Sequence, residues 1–189
     1  MKYSFLLILL VTTAFSAQAG GYYSGASIDA YDKDTGLYFK SVKNGKEDGG
    51  FLSKGSSSNV SDINVFNPST GKSTLIFGDN KPRKITTFLY ESEYVKETQS
   101  IAFGTNERTY NVKNNNSIEE REIRNRLLIV VYDEEKEKSE MWSSDKSGNN
   151  LKKIKSFSKG VSWHIDVKNS KIRFVTSLNY KLNIESMAW

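Results

Sequence analysis

The chain has one histidine, His164, and no cysteine. His164 lies in the run "VSWHIDV", with Ser162 two residues before it and Asp166 two after it. Serine, histidine and aspartate are the residue types of a nucleophile, a base and an orienting acid, but those three groups must converge in space. Alternate residues of a strand stand in a row on one face, so this run alone cannot supply a triad. His164 is expected at a partly buried or edge position. Zinc favours Cys and His ligands, and only one such residue is available to it. Asp29, Asp32 and Asp34 followed by Gly36 resemble a short calcium loop, yet Lys43 stands where a twelfth-position Glu would be, counting from Asp32. The plain alternative is an Asp-rich hairpin turn. "DEEKEKSE", from Asp133 to Glu140, alternates in sign and reads as a solvated hairpin. No cofactor or metal is expected. A pair of carboxylates at glycosidase separation is left open, because such a separation is invisible in one dimension.

The elements that would carry these residues are mostly strands. Aromatic and β-branched residues fall in runs of four to seven, bounded by Gly, Asn, Asp and Ser clusters. The runs are "GLYFKSV", "DINVFN", "STLIFG", "KITTFLY", "SIAFG", "RTYNV", "LLIVVYD", "EMWSSD", "LKKIKSF", "VSWHIDV", "KIRFVTS" and "KLNIESMAW". Their spacing of roughly ten residues predicts an all-β fold. "LLIVVYD" reads as the most buried. At most one short helix is predicted, near 118–126, where Ser117 and Glu120 form a capping box; a charged surface loop is the alternative there.

The chain opens with a short positive segment, the uncharged run "FLLILLVTTAF" and then Ala17-Gln18-Ala19. That is the form of a secretory signal peptide over residues 1–19, and the apolar run is short of the roughly 20 residues that span a membrane. Residues 20–189 are expected to form a single β-rich domain, periplasmic or secreted, with no stable membrane anchor after cleavage. Removing Lys2 with the signal leaves 26 basic residues against 22 acidic ones. The two signs are mixed along nearly every segment, which argues against a nucleic-acid partner.

"IDAYDKDTG" ending at Gly36 and "INVFNPSTG" ending at Gly71 align without gaps, and "MWSSDKSG" ending at Gly148 matches with one residue fewer. Each reads as a hairpin whose glycine takes the positive φ of its turn. Trp142 is expected to be a packed anchor between neighbouring sheets. "EMWSSDKSGNNLKKI" followed by "GVSWHIDVKNSKIRFVTS" resembles one blade of a TolB-type β-propeller, over residues 140–175, with weaker hairpins near 28–36 and 63–71. Met141-Trp142, Asp145 to Gly148, Leu151 to Ile154, Ser162-Trp163 and Ile172 to Val175 match the family's elements, while its Pro-Asp-Gly turn is replaced by "HIDVKNSK". The resemblance implies an antiparallel β-propeller. A closed propeller has four to eight four-stranded blades and needs more chain than this. The expected architecture is therefore a propeller-like incomplete stack of antiparallel hairpins, with a β-sandwich or barrel as the alternative.

Scarcity of reactive residue types favours binding over catalysis, and a stack too short to close leaves edges for something else to cover. The expected function is an exported, non-enzymatic protein-binding module of the bacterial envelope. The alternatives are a periplasmic immunity-type inhibitor of a toxin and an exported envelope hydrolase. The partner is another protein or a second copy, and the residues expected to face it are Tyr22, Tyr23, Arg121, Arg124, His164 and Trp189.

Overall fold

The computed structural model describes residues 28–43, 60–105, 111–114 and 117–189. Its strands in chain order are β1 (Asp29–Tyr31), β2 (Tyr38–Lys43), β3 (Val60–Asn67), β4 (Lys72–Leu75), β5 (Ile85–Val95), β6 (Ser100–Thr105), β7 (Val112–Lys113), β8 (Leu127–Asp133), β9 (Lys138–Ser144), β10 (Lys152–Ser158), β11 (Ser162–Asp166), β12 (Lys171–Leu178) and β13 (Lys181–Ala188). They form three sheets, ordered β1-β2-β3-β4, β10-β9-β8-β5-β6 and β13-β12-β11-β7. Among the described residues all pairings are antiparallel except that of β7 with β11. Among the described residues no sheet closes into a barrel, and the architecture fits a sandwich-like or incomplete-propeller description. Eleven of the twelve predicted runs contribute to strands; of "RTYNV", residues 108–110 lie outside the described residues and Val112 belongs to β7, while the hairpin read at 28–36 supplies β1. The propeller-like stretch 140–175 is divided between sheets: β9 and β10 belong to the second, β11 and β12 to the third.

Alternation along the strands explains how the sheets stack. In β8, Leu127, Ile129 and Val131 join an apolar cluster with Ile28, Leu37, Phe39, Ile63 and Val65 of the first sheet and its flanks. Leu128 and Val130, on the other face, join Trp163, Ile165, Ile172 and Phe174 of the third. The second sheet is thus the middle layer, covered on both faces. A strand with two covered faces must be apolar at consecutive positions, which is why "LLIVVYD" is a continuous run. The two outer sheets each have one covered face and one facing water.

The three aligned hairpins share a turn device. The amide of Gly36 donates to the Asp32 carbonyl, that of Gly71 to Asn67 and that of Gly148 to Asp145. All three glycines have φ between 67° and 86°, a region that glycine enters without a Cβ penalty. Trp142 sits between sheets as expected, its ring edge-on to Phe77 at 5.5 Å.

Among the described residues there is no helix. Segment 117–126 takes the irregular path, and its hydrogen bonds give the reason. The Arg124 amide, which a helix would need for its own ladder, donates instead to a Glu91 carboxylate oxygen, and the Ile118 carbonyl accepts from the Tyr94 hydroxyl.

Candidate functional site

Charged side chains are buried at both sheet–sheet interfaces, and adjacent residues of β5 lie at the centre of each. Tyr90 faces the first sheet and Glu91 the third, because successive strand residues point to opposite faces. On the Tyr90 side, the fully buried ammonium of Lys146 lies 2.9 Å from Asp32 and 3.0 Å from Asp34. Lys146 belongs to the turn ending at Gly148 and the two aspartates to the turn ending at Gly36, so two of the aligned turns are tied to each other. The ammonium also stands 5.6 Å from the centre of the Tyr90 ring. Burial, and secondarily the Asp32 carboxylate, push the Tyr90 phenol up to about 12, so it is a neutral hydroxyl at every physiological pH. Asp32 and Asp34, two of the three aspartates that resemble a calcium loop, are both paired with Lys146.

On the other side, Glu91 is completely buried. Arg121 donates to both of its oxygens, at 2.7 and 2.6 Å. The Arg124 amide adds a bond of 3.1 Å and the Trp189 indole N–H one of 2.8 Å. Burial pushes the carboxyl up, but the bonds from Arg121, Arg124 and Trp189 and the Arg121 charge outweigh it, so its pKa lies below the usual value. Arg124 continues to Ser170 Oγ at 2.8 Å, in the loop between β11 and β12. Three of the residues expected to face a partner, Arg121, Arg124 and Trp189, are thereby brought together at an internal clasp between the middle and third sheets. Trp189 is only 2% exposed. The buried acceptor on β5, 98 residues away, holds it inside. Tyr22 and Tyr23 lie outside the described residues.

His164 is on the water-facing side of the third sheet, directly across from Arg173 in the register. Burial lowers its pKa, and the Lys113 charge adds to this while Asp166 opposes it. Its strand neighbours are committed elsewhere. Asp166 accepts from Arg173 Nε at 2.7 Å and from Asn169, and the Ser162 hydroxyl donates to the Val175 carbonyl. The three do not form a hydrogen-bonded relay. One cleft among the described residues is lined by Asn125, Arg126, Ser143, Ser144, Asp145, Asn150, Leu151 and Lys152.

The water-facing side of the first sheet is different in kind. Tyr31 of β1, Tyr38 of β2 and Phe66 of β3 occupy one cross-strand row. Ring centres are 4.7 Å apart for Tyr31 and Tyr38 and 6.5 Å for Tyr38 and Phe66, with the rings tilted 44° and 50°. They are 50%, 47% and 38% exposed, and Leu75 of β4 extends the apolar surface at 37%. Sequence reasoning misses this row. Its signal is present there, because Tyr38 precedes the core residue Phe39 and must face the opposite way, but the faces of a strand cannot be assigned to core or water before the partner sheet is known.

No family model, no curated protein and no solved structure matches the chain.

Proposed function

We propose that this protein is an exported, non-enzymatic protein-binding module of the bacterial envelope, built on a propeller-like stack and engaging its partner through the aromatic row Tyr31–Tyr38–Phe66. The observation that carries the reading is that row: three contiguous, roughly half-exposed rings and Leu75 on an open sheet face, where ordinary surface apolar residues are scattered singly. Aromatic side chains give large contact area for few rotatable bonds and are enriched at the cores of protein interfaces. The tilted rings lean on one another, so their orientation is already fixed before a partner arrives, which lowers the ordering cost of association. The partner is a protein presenting an apolar, sheet-like or helical face of similar size.

The test is site-specific photo-crosslinking in cells that make the protein natively. A photoreactive residue at position 38 is expected to give a discrete adduct, and Phe66→Asp should remove it. The same probe at Lys136, on the exposed β8–β9 turn, is the background control. Equal adducts from the two positions would count decisively against the aromatic row as the contact surface.

A further inference from the structure

The edge of the third sheet carries a second association surface, independent of the aromatic row. Two of the other edges, β1 and β10, are guarded. β1 is three residues long, and β10 presents Lys152, Lys153 and Lys155 with a bulge between the last two. Short strands, lysines and bulges are the usual means of keeping an edge from pairing with another chain. β13 has eight residues in uninterrupted register with β12, and it exposes Leu182 at 71% and Ile184 at 51%.

Which backbone groups it offers follows from the register. The Trp189 amide donates to the Ser170 carbonyl, and hydrogen-bonded pairs alternate in an antiparallel ladder. Odd-numbered residues of β13 therefore bond to β12, while the N–H and C=O groups of Leu182, Ile184 and Ser186 point out at the free edge. Side chains alternate too. Leu182 and Ile184 share the water-facing side, and Lys181, Asn183 and Glu185 share the other.

We infer that β13 pairs antiparallel with β13 of a second copy of this chain, about a two-fold axis at Asn183. The segment "KLNIE", Lys181 to Glu185, is self-complementary in that register. Lys181 falls opposite Glu185 of the second copy, Leu182 opposite its Ile184, and Asn183 opposite its Asn183. The ion pair and the apolar pair each occur twice by symmetry, as an isologous contact requires. Glu185 also pairs with Lys155 of its own chain and remains 62% exposed, which leaves it open to a second cation. The free edge groups of Leu182 and Ile184 then bond to one another across the axis. A shift of two residues along the strand places Lys181 opposite Asn183 or Met187, and the ionic match is lost.

The hairpin tip adds to the contact. Leu178 pairs with Lys181, leaving Asn179 and Tyr180 as a two-residue turn with φ of 49° and 61°, the type I′ geometry in which glycine usually follows asparagine. Tyr180 occupies the glycine position at a conformational cost and is fully exposed. In the proposed register it lies beside Ser186 of the second copy.

Sedimentation velocity on the purified protein should show a concentration-dependent dimer. Lys181→Glu or Glu185→Lys alone places like charges opposite each other twice and should weaken dimerisation at least tenfold, while the double variant K181E/E185K should restore it. Restoration is the informative arm, since a general loss of structure would not be repaired by a second charge reversal. The chain has no cysteine, so Asn183→Cys supplies a unique thiol. Opposed residues of a non-hydrogen-bonded pair have Cα atoms about 4.5 Å apart, within disulfide reach. N183C should oxidise to a covalent dimer. K181C or E185C should not do so alone, but an equal mixture of the two should. A protein that stays monomeric up to about 100 μM (a Kd weaker than roughly 5.5 kcal/mol of binding), a dimer indifferent to K181E, or cross-linking without positional preference would each overturn the assignment.

Discussion

Replacing Glu91 with glutamine tests whether the clasp between the middle and third sheets holds the stack together. The substitution conserves shape and removes a completely buried charge that accepts four hydrogen bonds. Removing one partner of a buried ion pair costs about 3–5 kcal/mol. Arg121 and Arg124 keep 25% and 30% side-chain exposure, so water compensates part of the loss, and the amide oxygen still accepts from one donor. The net expectation is a destabilisation of about 2–3 kcal/mol, or a fall of about 5–10 °C in Tm for a domain of this size. The effect has a characteristic pH dependence. Because the folded carboxyl titrates below its ordinary value of 4.5, its stabilisation is complete above that value and is lost as pH falls through the lower folded value. The gap between wild type and E91Q is therefore largest near neutrality and closes in acid. Thermal unfolding by far-ultraviolet circular dichroism at pH 7 and pH 3.5 reads both quantities. A difference under about 0.5 kcal/mol at pH 7, the range of an ordinary surface change, or a gap that does not narrow in acid, would refute the reasoning.

Two further substitutions probe the opposite interface and the middle sheet. Lys146→Met leaves Asp32 buried without a counter-charge and should cost about 3 kcal/mol by urea unfolding; adding Asp32→Asn should recover part of that loss, because the two sites share one interaction. Gly104 lies directly across from Tyr90 in the β5–β6 register, and a Cβ there would meet the Tyr90 ring at 2.2 Å. Tyr90 is 1% exposed and has no room to retreat, so Gly104→Ala should destabilise by about 1–3 kcal/mol, whereas G104A combined with Tyr90→Leu should be less costly than the two changes added separately.

Strand positions were legible because they rest on local information. Period-two patterning, β-branched and aromatic runs and turn residues with positive φ depend on neighbours in the chain, and the predicted runs that fall within the described residues contribute to strands. Segment 117–126 was ambiguous for a physical reason: its capping box favours a helix locally, while Glu91 draws off the Arg124 amide and the Arg121 guanidinium. Glu91 itself sits in "YESEYV", where a charged residue at an alternating position reads as facing water. Its burial follows from the third sheet lying over that face.

The sequence by itself determined an all-β chain, the neighbourhoods of most of its strands and turns, and that β8 is deeply buried, since each of these is written in consecutive residues. The tertiary structure alone decided which face of each outer strand meets water, and so that Tyr31, Tyr38 and Phe66 form an exposed row while Trp189 is enclosed. Those outcomes depend on groups such as Trp189 and Glu91, 98 residues apart, or Lys146 and Asp34, 112 apart. A charge or an aromatic ring finds its counterpart at that distance only after the sheets have stacked, and no local pattern records the pairing beforehand.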